Sequence, residues 1–331
     1  MISLKKKWHL PILALLCVLG ILYALKPRLP YKALSFETHA LGTRCRLTLY
    51  MQDPAGAGQV AEAVFAELKS VENKSNLYDP HSEVSLLNAQ RNMRLSPELY
   101  AILDRSLYYA RWSQGAFDPT VGALTLAYRV TTDPSAVSRI WQSQAAGIGW
   151  QNLWLDPYNQ VGALRHPLTQ VDVWGASKGY AADRALLMFK ALKVPAALLD
   201  LGGQITVWGQ DPAHGDWPVG IEDPRQPNAL LGKIMLQSGQ TLASSSLSQH
   251  WPLGEAWVTH PIFDPRLKTQ VKPGYTLVSV CAESGLDADI LSTTLFVLGK
   301  LETLSLPPSI NVLTLDTEGK LWHSPTLVFA R

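Results

Sequence analysis

An α+β fold is the architecture this sequence predicts, on three observations. Segments of helical and strand period are intermixed without the regular strand–helix–strand alternation of a parallel sheet. No internal repeat or low-complexity tract is present, and no long linker splits the chain. The 331 residues are 47% hydrophobic and their formal charges leave only +2, which suits a large buried core. We expect one large mixed domain over residues 35–331, made of two intimately packed subdomains, behind an N-terminal membrane segment. The balanced charge argues against a nucleic-acid partner, which would call for a basic excess or stripe. The eleven tryptophans are scattered, as core residues are.

The N-terminus differs from the rest. Lys5, Lys6 and Lys7 precede an uncharged stretch from Leu10 to Leu25. At helical rise that stretch covers about 24 Å, short of a hydrocarbon core of about 30 Å. Trp8 and Tyr23 extend the span if they sit at the two interfaces. A cleaved signal peptide competes with an uncleaved signal anchor for residues 1–28. Leu22 and Ala24 fit a cleavage site poorly, and Cys17 follows Leu16 rather than a small residue, so the anchor is preferred. Either reading exports the domain, to the periplasmic side of the inner membrane, with residues 29–34 as a short stalk. Cys45 and Cys281 are the only cysteines outside the apolar segment; whether they pair stays open, and no zinc spacing is present.

The elements follow in order. "SFETHALGTRCRLTLY" reads as a strand interrupted at Gly42. "GQVAEAVFAELKSVEN" puts Val60, Val64, Leu68 and Val71 on one helical face. Ser96 and Pro97 supply an N-cap and first-turn proline for a helix that Gly115 ends. "KGYAADRALLMFKALKV" is a helix beginning near Lys178, followed by the strand "AALLDL" and the Gly202–Gly203 turn. "LDADILSTTLFVLG" is a late helix stopped by Gly299, and "INVLTLDTEGKLWHS" is a hairpin turning at Thr317–Gly319.

Three stretches suggest chemistry. Asp289 and Thr293 are four apart on the late helix, so a carboxylate and a hydroxyl share one face and can offer oxygen to a hard cation. Taken alone, such a pair is more often a solvated helix edge. Gly175-Ala176-Ser177 precedes the Lys178 helix and would let backbone approach a phosphate, although an ordinary tight turn has the same composition. "HPIFDPR" gathers His260, Asp264 and Arg266 within seven residues. A serine hydrolase is disfavoured because no G-x-S-x-G elbow occurs.

Together, "LGTRCRL", "YDPHSEVSLLN", "GAFDPTVGAL", "GASKGYAAD", "LDLGGQI", "WPVGIEDPR", "FDPR" and "DADILSTTLFVLG" resemble, in this order, the FAD:protein FMN transferase family, also called the ApbE family. The resemblance runs from Leu41 to Gly299. It implies an exported, Mg²⁺-dependent enzyme that transfers the FMN moiety of FAD to a Thr or Ser hydroxyl of a redox protein and releases AMP. By the same resemblance Asp289, Thr293 and the backbone carbonyl of Ser177 hold the metal. Leu41, Tyr78, Asp118, Lys178, Asp200, Gly202, Gly203 and Ser245 contact the flavin nucleotide, with Tyr78 packing on the ring.

Three positions depart from the family pattern. Trp174 stands where the family has a glycine. "ASSSLSQH" replaces a Thr-Ser-Gly stretch, with Ser245 its nearest match. The catalytic candidate His260 lies four residues before Asp264 rather than three. Two alternatives therefore stand beside transfer: a non-catalytic flavin-binding accessory protein, and an FAD pyrophosphatase giving FMN and AMP.

Overall fold

The computed structural model describes residues 31–330 apart from 131–132, 227, 248–261, 273 and 302–305, and apart from the side chains of 128–130 and 134. The segment expected as one interrupted strand is a hairpin of β1 (Lys32–Ala40) and β2 (Thr43–Met51). Leu41 and Gly42 form its turn, with φ of +52° and +68°. Two successive positive φ values match a two-residue turn to the right-handed twist of its strands. β1 begins at Lys32, so the end of the expected stalk is already strand.

α1 (Pro54–Ser75) starts at Asp53, whose carboxylate accepts from the Ala55 and Gly56 N–H groups at 3.0 Å. Its expected stripe of Val60, Val64, Leu68 and Val71 is buried. α2 (Glu83–Gln90), β3 (Asn92–Arg94) and α3 (Pro97–Trp112) follow, α3 capped by the Ser96 hydroxyl as expected. Then come α4 (Gly122–Val130), α5 (Pro134–Gln144), β4 (Leu153–Asp156) and β5 (Val161–Leu164).

α6 (Trp174–Ala191) starts four residues earlier than expected. The Asp172 carboxylate accepts from the Trp174 N–H at 2.8 Å, satisfying a first-turn donor ahead of the small residues. Gly175, Ala176 and Ser177 therefore form the first turn of the helix rather than a loop before it.

Next are β6 (Ala196–Leu201), β7 (Ile205–Trp208), β8 (Trp217–Glu222), β9 (Leu230–Leu236), β10 (Thr241–Ser246), β11 (Phe263–Asp264), β12 (Thr269–Gln270) and β13 (Tyr275–Ala282). The chain ends with α7 (Gly285–Leu298), β14 (Asn311–Asp316), β15 (Leu321–His323) and β16 (Phe329–Ala330). α7 is buried on nearly every side, and Gly299 stops it in the left-handed conformation. β14 and β15 are the expected late hairpin.

The main sheet is antiparallel throughout, in the order β1-β2-β6-β7-β10-β13-β14-β15. α1 and α6 pack on its β1-β2-β6 half, where Leu47, Leu49, Leu68, Phe189, Leu199 and Leu201 share one core. α3 and α7 pack on the same face further along, against Val278, Val280 and Val312. The small sheet β16-β9-β8 covers the opposite face through Trp217, Ile234, Leu313 and Leu315. Helices gathered on one face of an antiparallel sheet make the α+β arrangement that was expected. Cys45 belongs to the helix-side core and Cys281 to the opposite one, and both are free thiols. Burial pushes them up to about 11 and about 12. Among the described residues no helix is long and apolar enough to cross a membrane. The expected anchor, residues 1–28, lies outside them.

Candidate functional site

The candidate residues converge where α6 crosses α7 at one rim of the main sheet. The crossing is close because both helices carry glycine there: a β-carbon on Gly179 would lie 2.3 Å from the Gly285 carbonyl oxygen. α6 also anchors the start of α7, since Asp183 accepts from the Gly285 and Leu286 N–H groups at 2.5 and 3.1 Å. From α3, Arg105 grips Asp287 with two parallel hydrogen bonds of 2.5 and 2.6 Å. α7 is thus fixed in position by both neighbours before any ligand arrives.

At this crossing the Gly179 N–H donates to Asp289 Oδ2 at 2.9 Å, and Lys178 Nζ lies 3.9 Å from Asp289 Oδ1. One turn on, Thr293 Oγ1 is 3.4 Å from Ser245 Oγ, which is 3.0 Å from Ser292 Oγ. A β-carbon on Gly175 would come within 3.7 Å of Thr293 Oγ1, so the first turn of α6 lies directly against the α7 hydroxyl. Ser177 is buried in that turn. Burial raises the Asp289 carboxyl above its ordinary value, while Lys178 and the Gly179 N–H pull the other way. The net direction is upward, so the protein's own groups leave this carboxylate incompletely compensated.

The donor set fits a hard cation. The Asp289 carboxylate and the Thr293 hydroxyl are both oxygen donors, and Mg²⁺ takes a few such donors while keeping water or phosphate oxygens in its other positions. Among the described residues, Asp289 Oδ2 has the Gly179 N–H and Oδ1 the Lys178 ammonium as partners, within the capacity of a carboxylate for about four. Among the described residues there is no group of three or more His, Cys, Asp and Glu, the pattern of a closed transition-metal site.

A wall of aromatic and turn residues adjoins these oxygens. Tyr78 and Trp174 meet edge-on with ring centroids 6.5 Å apart. A β-carbon on Gly42 would lie 2.2 Å from the Trp174 indole, so the β1–β2 turn closes against this side chain. Lys178 Nζ is 6.0 Å from the centre of the same ring. Leu41, buried at left-handed φ, holds the turn in a backbone that a leucine seldom adopts. The β6–β7 turn lies alongside: Gly202 has no room for a β-carbon beside Thr43, and Asp200 Oδ1 accepts from the Gly203 N–H at 2.9 Å. Leu41, Tyr78, Lys178, Gly202, Ser245, Asp289 and Thr293 therefore belong to one contiguous region.

Other residues have more local roles. Asp118 Oδ1 accepts from the Thr120 N–H and hydroxyl at 2.8 and 2.6 Å, and burial pushes its carboxyl up to about 6. The preceding residue, Phe117, packs on the first turn of α6, where a β-carbon on Gly175 would lie 3.2 Å from its ring. Asp264 accepts from the Arg266 backbone, Nε and Nη2 at 3.0, 2.9 and 2.6 Å. Asp223 and Arg225 form the same self-closing Asp-Pro-Arg turn. The acid and base of "HPIFDPR" thus hold each other; His260 lies outside the described residues.

Three features were not anticipated from the sequence as parts of the site. Asp172 is buried, raised by that burial, and held by the Thr125 hydroxyl at 2.7 Å as well as by Trp174 N–H. Its place two residues before a helix start was the available clue. Trp174 was noted as a departure, but not as the packing partner of Tyr78 and Gly42. Gln204 is buried, and among the described residues neither its side-chain nitrogen nor its oxygen has a hydrogen-bond partner.

Comparison with known proteins bears on this arrangement. The ApbE family profile matches residues 41–312. The chain is 28% identical over 287 residues to the FAD:protein FMN transferase of Treponema pallidum (strain Nichols), covering 80% of this chain and 79% of that one. It is 30% identical over 235 residues to the FAD:protein FMN transferase of Chlamydia trachomatis serovar D, covering 68% and 71%. The crystal structure of the ApbE protein from Thermotoga maritima aligns with a TM-score of 0.79 at 26% identity, over 89% of this chain and 98% of that one. The flavin transferase ApbE from Vibrio cholerae, at 20% identity, shares the fold with a TM-score of 0.77 over 90% and 98%. The matched span includes every described element from β2 to the first residues of β14, and with them the whole α6–α7 crossing: the chain belongs to the ApbE family.

Proposed function

We propose that this protein transfers the FMN moiety of FAD to a Thr or Ser hydroxyl of another exported polypeptide, releasing AMP. The observation that carries this reading is the convergence of Asp289, Thr293 and the first turn of α6 beside Lys178, in a chain of this family. In the reaction the acceptor hydroxyl oxygen bonds to the FMN-side phosphorus of FAD. The bond from that phosphorus to the bridging oxygen breaks, and AMP departs with the bridging oxygen. The hydroxyl proton passes to a base, for which His260 is the candidate.

The chain's own groups suit the task, since phosphoryl transfer depends on positioning and charge neutralisation more than on covalent help. Lys178 offsets pyrophosphate charge. Tyr78 and Trp174 provide the apolar wall for the isoalloxazine. Ser245 and Ser292 orient Thr293. Mg²⁺ held by Asp289, Thr293 Oγ1 and the Ser177 carbonyl would supply further neutralisation of the pyrophosphate.

Acceptor-dependent AMP release from FAD tests the reading. AMP should appear only when an acceptor with a reactive hydroxyl is present. AMP and free FMN without acceptor would instead mark an FAD pyrophosphatase. For the base, His260→Ala should lower the transfer rate about 100-fold and remove its acid-side pH dependence, in line with general-base contributions. An unchanged pH–rate profile would exclude His260 from that role.

A second reading, flavin binding without transfer, is favoured by the Trp174 indole packed on Gly42 where the family pattern has a glycine. It predicts bound FAD with neither AMP nor a modified acceptor. Localisation follows the sequence expectation: export to the periplasmic side, with residues 1–28 as anchor or cleaved signal.

A further inference from the structure

Gln204 follows the Gly202–Gly203 turn, and its direction can be read from the sheet register. Thr206 pairs with Thr241, and their hydroxyl oxygens are 2.8 Å apart, so both side chains are on one face. Gln204 precedes Thr206 by two residues and so shares that face, as Ser245 does four residues beyond Thr241. Ser245 identifies the face, because its hydroxyl meets Ser292 and Thr293 of α7. Gln204 is therefore on the helix-bearing face, at the rim where the candidate site lies.

Gln204 is 2% exposed, yet among the described residues neither Nε2 nor Oε1 of its carboxamide has a hydrogen-bond partner. Buried polar groups are normally satisfied, and an orphan weakens the fold unless something else answers it. No hydrogen bond must break for this side chain to turn toward a ligand. The adjoining turn leaves an approach, since a β-carbon on Gly203 would meet nothing within 4 Å. A phosphate offers only acceptors and would leave Oε1 unanswered. Satisfying both atoms takes a donor and an acceptor side by side, as on the edge of a nitrogen heterocycle.

We infer that the Gln204 carboxamide reads the donor–acceptor edge of one ring of the bound dinucleotide, the flavin pyrimidine edge or the adenine edge. This rests on the flavin-dinucleotide reading of the site. Calorimetric titration of the purified full chain with FAD, FMN and AMP, for wild type and Gln204→Leu, tests it. Gln204→Leu should bind FAD about tenfold or more weakly, because a ligand edge built to be paired is left unpaired. The loss should recur with only one half: FMN if the flavin is read, AMP if the adenine is. Ligand-free Gln204→Leu should melt no lower than wild type, since it removes an orphan polar group. If the leucine variant does not fold, Gln204→Met, which keeps the side chain's length, takes its place in the same titrations. Equal binding of all three ligands by wild type and a folded variant would overturn the inference and assign the amide to a buried water or to folding. Wild type that binds none of the three would overturn the functional reading itself, and the inference with it.

Discussion

At the scale of single residues, Asp289 is where fold and chemistry conflict most. Its carboxylate is buried between two helices, compensated by one backbone N–H and a distant ammonium. An apolar residue would suit the fold better, and perturbed buried carboxylates of this kind cluster at functional sites. Asp289→Asn should fold, keep FAD binding measurable and lower transfer by about 100-fold or more, the scale of losing one preorganised charge-stabilising group. Steady-state kinetics with excess Mg²⁺ would show it; near-wild-type turnover would remove Asp289 from the site. Asp118 gives a prediction about pH. Its folded-state pKa is raised from 3.8 to about 6, so between those values the folded chain holds a proton the unfolded chain has lost. Stability contributed by this group is full below about 4 and lost as pH rises through about 6. Denaturant titrations should therefore find wild type losing stability relative to Asp118→Asn across that window. A flat or opposite difference would mean the carboxyl is not desolvated as the structure has it.

At the scale of elements, the α6–α7 crossing positions everything else. Gly179 and Gly285 let two backbones approach closely enough for Asp289 to reach the Gly179 N–H. Gly179→Ala would place a methyl 2.3 Å from the Gly285 carbonyl and 2.7 Å from Asp289 Cβ, so the helices must separate. We expect a destabilisation of about 1–3 kcal/mol in chemical denaturation, the usual range for overpacking, together with weakened metal binding. An alanine variant as stable as wild type would show that the crossing tolerates separation. This is also where sequence reading reached its limit. The α7 pattern, with Asp289 and Thr293 on one face, was legible because helical spacing alone relates them. The start of α6 was not read, since Asp172, two residues upstream, satisfies its first turn and draws Gly175–Ser177 into the helix. "HPIFDPR" holds a cluster that closes locally at Asp264 and Arg266. Local Asp-Pro-Arg closure accounts for its acid and its arginine, and the second copy at Asp223–Arg225 was a visible hint of a structural turn.

At the scale of the whole molecule, the α+β class followed from the mixed periodicities, and colinear words from Leu41 to Gly299 marked most of the domain. Their spatial meeting did not follow, because it depends on sheet order. β2 and β6 are adjacent although about 150 residues separate them in the chain, and this puts the Leu41–Gly42 and Gly202–Gly203 turns side by side. The same order brings Ser245 of β10 to α7 and turns Gln204 toward the helices, relations that no local pattern encodes. The central claim is that this assembled rim transfers FMN to protein. Intact-mass spectrometry of an exported redox protein, after incubation with this enzyme, FAD and Mg²⁺, tests it most directly. Transfer predicts an acceptor heavier by one FMN, with the addition on a Thr or Ser and absent with Asp289→Asn. An unmodified acceptor in a sample where FAD binding has been demonstrated would contradict it.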